Sequence, residues 1–244
     1  MGDSSTVEAA AHRYQSIFPD VKGICSRDLI RDSLLSSTSD GINWNLNGRG
    51  ILLVDVRTDA ERDVSMISGA ISLNEFKANV LPALKSRRNA VDDDSPLPDM
   101  IVTYCTIGFR SGMEARQLIN EYPNLLEGWD AGDNSSSTDD EGRASKTKVG
   151  NLDGIIAFAE SLEHIRSNDE DSQKMTSMEP FLIDPINNHT ATNKVHVYGP
   201  SWKKYLSSNY EAVTFSRMEF AWRGVIVLGR SCMSCVTSCA NCKR

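Results

Sequence analysis

Between residues 103 and 118 the chain reads TYCTIGFRSGMEARQL, and Cys105, Gly108, Arg110 and Ser111 fall within seven positions of one another. Each residue type has a physical task. A cysteine is nucleophilic as the thiolate, and a thiolate at a helix N-terminus is stabilised by free backbone N–H groups and the helix dipole. Gly108 permits a positive φ or a close backbone approach. Arg110 supplies a permanent charge with a forked donor pattern suited to an oxyanion. Ser111 suits the cap of a following helix. The implied chemistry is nucleophilic, with Cys105 attacking and Arg110 supporting it electrostatically. The plainer alternative is a buried cysteine at a strand end beside a solvated arginine.

The flanking residues supply the elements such a loop needs. MIVTYC, 100–105, is a continuous apolar run that reads as a buried strand ending on the cysteine. After the loop, Ala115, Leu118, Ile119 and Tyr122 keep helical spacing until Pro123 ends the helix. Cys105 thus sits where a strand's C-terminal end meets a helix N-terminus, the usual ligand position of open α/β sheets. ILLVDVR, 51–57, is a second buried strand, and VKGI, 21–24, and GAISL are shorter ones. Residues 7–18 predict a short helix broken by Pro19, Ser26 starts a helix through about Leu35, and Thr58 caps another in TDAERDVSM. KVGNLDGIIAFAESL predicts a strand, a glycine turn and a helix. Strands and helices alternating over residues 20–166 imply an α/β layered fold, with 1–19 as an N-terminal tail.

Two polar stretches interrupt the pattern. Residues 124–147 hold DAGDNSSSTDDEGRASKTK and predict a flexible insertion, and 167–180 predict a linker. Beyond it, FLIDP, KVHVYGPSWKKYL and a cysteine-rich tail make residues 167–244 a C-terminal extension expected to be more dispensable than the domain.

Composition narrows the function. The chain has 244 residues and a formal net charge of −7, which argues against a nucleic-acid partner. No apolar run approaches the roughly 18 residues needed to span a bilayer. The N-terminus lacks the basic start and apolar centre of a secretory signal. It fits the loose myristoylation pattern through Gly2 and Thr6, but that pattern is short and degenerate, and a solvated tail is the simpler reading. Reduced thiols in a cytoplasmic setting are the default for these six cysteines, with an organelle such as a plastid or mitochondrion as the alternative.

Three segments, in order, resemble the single-domain rhodanese-like sulfurtransferase family. LLVDVRTDAERDVSMISGAISL resembles the family's DVR…E…HIPGAI segment, YCTIGFRS its YCxxGxRS loop, and VGNLDGIIAF its closing VxNLxGGIxxW. The resemblance covers about residues 20–166 and implies a rhodanese-like, doubly wound parallel sheet of about five strands flanked by helices, followed by the C-terminal extension. It also implies that Cys105 takes sulfur from a small-molecule donor as a persulfide and passes it to a thiol or protein acceptor. The N–H groups of Thr106, Ile107, Gly108, Phe109, Arg110 and Ser111 would cradle that persulfide, with no organic cofactor required. Asp55 and Arg57, at the end of a neighbouring strand, would line or brace the same rim, with a structural ion pair as the alternative. Met66 and Ser68 stand where the family has His and Pro, Ile155 where it has its second Gly, and Phe158 where it has Trp. Thr106 occupies the position where thiosulfate-using members often carry a basic residue, which puts thiosulfate in question as the donor.

Two other functions compete. A Cys-based phosphatase or arsenate reductase also needs a cysteine, an arginine and an oxyanion loop. Here four residues separate Cys105 from Arg110, whereas related phosphatases have one more and a wider loop. A non-catalytic docking module is the second competitor, because a fold does not fix a function. At the chain's end, Cys232, Cys235, Cys239 and Cys242 follow the pattern CxxCxxxCxxC. Four thiols suit Zn or an Fe–S cluster, although the central gap is shorter than in zinc ribbons. An exposed, oxidisable tail or lipid modification is the alternative. The scattered histidines His12, His164, His189 and His196 suggest no role.

Overall fold

The two apolar runs lie side by side, parallel, with Ile51 opposite Met100 and Asp55 opposite Tyr104. The computed structural model describes residues 4–36, 42, 44–46, 49–89, 98–128, 146–167 and 180–215. In chain order the elements are α1 (Ser4–Gln15), β1 (Lys22–Ile24), α2 (Ser26–Ser36), β2 (Asn45–Leu46), β3 (Arg49–Asp55), α3 (Asp59–Arg62), β4 (Met66–Ile67), β5 (Ile71–Ser72) and α4 (Leu73–Glu75). A π-helical turn (Phe76–Val80), α5 (Leu81–Asn89), β6 (Met100–Tyr104), α6 (Phe109–Glu121), β7 (Leu126–Gly128), β8 (Thr147–Leu152) and α7 (Ile155–Arg166) follow. The chain continues through β9 (Leu182–Asp184), β10 (Thr190–Ala191), β11 (Lys194–His196), a one-turn helix (Pro200–Lys203) and β12 (Glu211–Val213).

The central sheet runs β1-β8-β6-β3-β2, with β5 also on β3 and β7 also on β8. All its pairings are parallel except β2 with β3. It is a mixed α/β fold with a mostly parallel sheet of seven strands where the sequence predicts about five. The additional strands are short ones that pattern alone does not separate from loop. One of them, β7, lies inside the expected insertion with its Leu126 buried, and residues 129–145 lie outside the described residues.

Burial on both faces explains the continuous apolar runs. Successive side chains alternate between two cores. Leu53, Met100, Val102 and Tyr104 point to the core shared with α2 and α7, while Val54 and Ile101 point to the core under α5 and α6. All five residues of β6 are buried, which makes the strand that leads into Cys105 a fixed support.

The C-terminal extension does not behave as an appendage over residues 181–197. β9 pairs with β4, with Met66 opposite Ile183, and Ser68 N donates to Phe181 O at 2.9 Å. Phe181 packs edge-on to Trp44, with ring centroids 6.0 Å apart. Phe181, Leu182, Ile183, Val195 and Val197 are all buried. Each such side chain contributes about 1.5–3 kcal/mol on burial, so together they rival the roughly 5–15 kcal/mol net stability of a typical domain. The expected boundary after residue 166 therefore falls inside a shared core. The polar stretch that suggested it lies between two segments of one folding unit. Met66 and Ser68, which depart from the family pattern, are the residues to which this extension is stitched.

Candidate active site

Cys105 leaves β6 at the C-terminal edge of the sheet and is completely buried, at 0% exposure. The loop behind it is held by its carbonyls. Ile155 N donates to Cys105 O at 2.9 Å, Ile156 N to Thr106 O at 3.4 Å, and Asn151 Nδ2 to Gly108 O at 2.8 Å. The start of α7 and the end of β8 thus occupy the loop's acceptors. Among the described residues no group accepts from the backbone N–H of Thr106, Ile107, Gly108, Phe109, Arg110 or Ser111. Six donors in succession, ending in the first turn of α6, follow the cysteine without an acceptor among the described residues.

Two glycines make this packing possible. Gly108 caps α6 in the left-handed region, φ 84°, and a Cβ there would lie 3.2 Å from Leu152 O. Gly154 has φ 109°, and a Cβ there would meet Thr106 O and Ile107 Cα at 2.7 Å. Ser111, expected to cap α6, instead donates its Oγ to Asn151 Oδ1 at 2.7 Å and is buried. Gly108 takes the cap because the tight turn after Cys105 requires a positive φ. Ile107 and Phe109 offer the site only backbone, since their side chains pack into the two cores; Phe109 sits edge-on to Tyr14 at 6.0 Å.

Arg110 does not present its fork to the loop. Its Nη1 donates to Glu61 Oε2 at 2.9 Å and its Nη2 to Glu61 Oε1 at 2.7 Å, with the side chain 31% exposed. Glu61 is buried, at 1% exposure, and is positioned by a capping box in which Thr58 N donates to Glu61 Oε2 at 3.0 Å. The same carboxylate lies 3.2 Å from His196 Nδ1 and 3.5 Å from Thr106 Oγ1. Burial acts to raise the Glu61 carboxyl. The nearby His196, the Arg110 hydrogen bonds and the Arg110 charge prevail and hold it well below the usual carboxylate range. On its other side Arg110 faces the Tyr198 ring, 5.0 Å from the centroid. Burial holds the Tyr198 phenol well above the ordinary range against the opposing charge of Arg110.

Asp55 and Arg57 are a structural pair rather than a substrate-binding rim. Both side chains have no exposure, and Arg57 Nε and Nη2 reach Asp55 at 2.9 and 2.6 Å. Arg57 also donates to Ser65 O at 2.6 Å and Glu61 O at 3.4 Å, bracing the segment that carries Glu61. The structure therefore places Cys105, Thr106, Gly108 and Arg110 along the turn from β6 into α6, and Asp55 and Arg57 in a buried pair that braces the segment carrying Glu61.

Several members of this constellation were missed from sequence. Glu61 carried a signal, since Thr58 and Glu61 form the T-x-x-E of a capping box. Asn151 and Gly154 lay inside the VGNLDGIIAF segment. His196 and Tyr198 carried none, because a contact across 135 positions leaves no periodicity. Cys232, Cys235, Cys239 and Cys242 lie outside the described residues. Among the described residues no group of three or more His, Cys, Asp or Glu side chains is placed to hold a metal ion, and no helix is long and apolar enough to cross a membrane.

A search of curated proteins returned no match. Among solved structures the chain is similar to Saccharomyces cerevisiae Ygr203w, described as a homolog of single-domain rhodanese and Cdc25 phosphatase catalytic domain. The identity is 16% and the TM-score 0.32, over 62% of this chain and 85% of that one. Residues 41–135, which include Glu61, the Cys105 loop and Arg110, match the family model described as Rhodanese-like domain. Over that segment the chain is similar to a rhodanese-like domain.

Proposed function

We propose that the chain is a sulfurtransferase that carries a sulfane sulfur as a persulfide on Cys105. One observation carries this reading: a buried cysteine is followed by six backbone N–H groups with no acceptor among the described residues, while the loop's carbonyls at Cys105, Thr106 and Gly108 are bonded. Such donors stabilise a thiolate and then the terminal sulfur of a persulfide without further reorganisation. The Cys105 thiolate attacks the outer sulfur of a donor. The bond from that sulfur to the rest of the donor breaks, and the leaving group departs with the electron pair. An acceptor thiolate then attacks the same sulfur and regenerates the Cys105 thiolate.

Arg110 acts here as a positioning residue. Its pairing with Glu61 fixes the first turn of α6 against α3, and the N–H groups gain their direction from that. The test is single-turnover sulfur uptake, followed as the added mass of one sulfur atom on the peptide containing Cys105, with thiosulfate, mercaptopyruvate and a small alkyl persulfide offered in parallel. Uptake on Cys105 from at least one of them supports the reading. Absence of uptake from all three leaves the domain as a docking module.

A further inference from the structure

In the described structure the C-terminal extension reaches the active-site loop at one point. β11 delivers His196 and, two residues on, Tyr198. His196 is completely buried, 3.2 Å from Glu61, stacked on Phe215 at 4.5 Å between centroids and edge-on to Tyr198 at 5.6 Å. β11 is held in turn by β12, with His196 opposite Val213. Tyr198 is thus fixed on a strand, and its ring lies against Arg110. His196, Tyr198, Val213 and Phe215 all lie outside the matched segment 41–135.

The consequence is electrostatic. The guanidinium edge of Arg110 is taken by Glu61, and one face is covered by Tyr198. The nearby Arg57 is taken by Asp55. Arg57 and Arg110 are therefore each neutralised by a buried carboxylate, and Thr106 adds no charge. What remains among the described residues to attract a ligand is the row of backbone N–H dipoles, without a free fork for a sulfonate-type group.

Resting on the sulfurtransferase reading, we propose that Tyr198 is a specificity-determining residue: with Glu61 it withdraws Arg110 from oxyanions, so that Cys105 takes sulfur from donors whose leaving group is a thiol rather than sulfite. With such a donor, R–S–SH, the Cys105 thiolate bonds to the outer sulfur and the S–S bond of the donor breaks. RS⁻ leaves with the electron pair and takes a proton from water, and Cys105–S–SH remains. No oxidant or reductant is consumed.

Two readouts separate this proposal from the one it rests on. The first needs no sulfur transfer: alkylation of Cys105 by neutral iodoacetamide and by anionic iodoacetate, resolved by peptide mass spectrometry so that other cysteines do not interfere. Tyr198→Ala raises the iodoacetate rate relative to iodoacetamide by about tenfold, equal to about 1.4 kcal/mol of barrier, whereas Tyr198→Phe, which keeps the ring on Arg110, leaves the ratio near wild type. Tyr198→Leu, which keeps apolar bulk but not the aromatic face, behaves as Ala and serves if the Ala variant does not fold. The second readout is single-turnover uptake, in which the ratio of thiosulfate to alkyl-persulfide rates rises in the Ala or Leu variant. Unchanged alkylation ratios in a folded Ala or Leu variant overturn the proposal. If alkylation selectivity changes as expected but no variant takes up sulfur, it is the sulfurtransferase reading that fails.

Discussion

Cys25 and Cys105 occupy equivalent places in the sheet and unlike chemical surroundings. Each follows the last residue of a parallel strand, β1 or β6, and each precedes a helix, with β8 lying between the two strands. At Cys25 the helix begins on the next residue, so no loop exists to collect N–H groups. The Asp153 carboxylate accepts from both the backbone N–H and the hydroxyl of Ser26. Burial, and then the Asp153 charge, push the Cys25 thiol up. At Cys105 three residues intervene before the helix, the carbonyls of Cys105, Thr106 and Gly108 are drawn to Asn151 and α7, and among the described residues no carboxylate accepts from the loop's N–H groups. A strand–cysteine–helix pattern is thus not sufficient for a reactive thiol. What matters is whether the adjoining N–H groups are left for a ligand or taken by a side chain.

The largest effect expected from this comparison is all-or-none. Cys105→Ser removes sulfur uptake, because a neutral hydroxyl cannot replace a thiolate at pH 7. Cys25→Ser leaves single-turnover uptake at the wild-type rate. Retained uptake in Cys105→Ser together with loss in Cys25→Ser would reverse the assignment of the two sites.

Next in size is the glycine beneath the loop. Gly154→Ala drives a methyl into Thr106 O and Ile107 Cα at a φ of 109°. Since both obstacles are backbone, the loop must move, and displacing a preorganised site by about 1 Å costs roughly 10²-fold in rate. On the Cys25 side, Gly150→Ala meets first the Cδ1 end of Ile24, which can rotate away, and sulfur uptake stays within a few-fold of wild type, about a tenth of the Gly154 effect or less. Equal losses in the two variants would mean that the loop is not held in the way these contacts indicate.

The difference between the two cysteines was partly legible in the sequence. The apolar runs at 51–57 and 100–105 announced strands buried on both faces, and the Cys–Gly–Arg spacing announced the loop, because each is a local pattern with a local cause. The partner of Arg110 was not legible. An arginine after such a loop reads as an oxyanion ligand until Glu61, 49 residues earlier, is seen to take both of its terminal nitrogens. Asp55 and Arg57 read as a charged rim because strand ends usually face solvent, and only the three-dimensional cover from the Ser65 segment buries them. The extension misled most. Its polar lead-in, 167–180, has the composition of a linker, but composition does not record that Phe181, Val195 and Val197 complete a core begun by α2 and α7.

The Glu61 pair has a pH signature. Its carboxyl is held well below the ordinary range, so the stabilisation it provides is fully present above the unfolded value of about 4.3 and is lost as pH falls through the lower folded value. Glu61→Gln should therefore cost about 2–3 kcal/mol at neutral pH, discounting the usual loss for a broken buried pair because Arg110 is partly exposed. The gap from wild type should narrow below about pH 4. Denaturant midpoints at pH 7 and pH 3.5 measure both. A gap that is the same at the two values would assign the cost to lost packing rather than to ionised Glu61.

The smallest effect lies at Cys25 and tests the comparison from its other side. Asp153→Asn keeps an acceptor for Ser26 and removes the negative charge. Of the two main influences that raise the Cys25 thiol, burial stays and the carboxylate goes. Because alkylation proceeds through the thiolate, Cys25 in this variant should react faster with iodoacetamide at fixed neutral pH. The midpoint of its rate against pH should lie lower than in the wild type, though not as low as it would without burial. Cys105 should react at an unchanged rate, since the Asp153 side chain bonds Ser26 and contributes only backbone beneath Gly108. If Cys25 does not respond, burial alone sets its reactivity, and the contrast between the two strand ends reduces to the presence or absence of a loop. If both cysteines respond equally, the Asp153 charge acts along the whole edge of the sheet, and the N–H row at Cys105 is not the insulated feature that its bonding pattern describes.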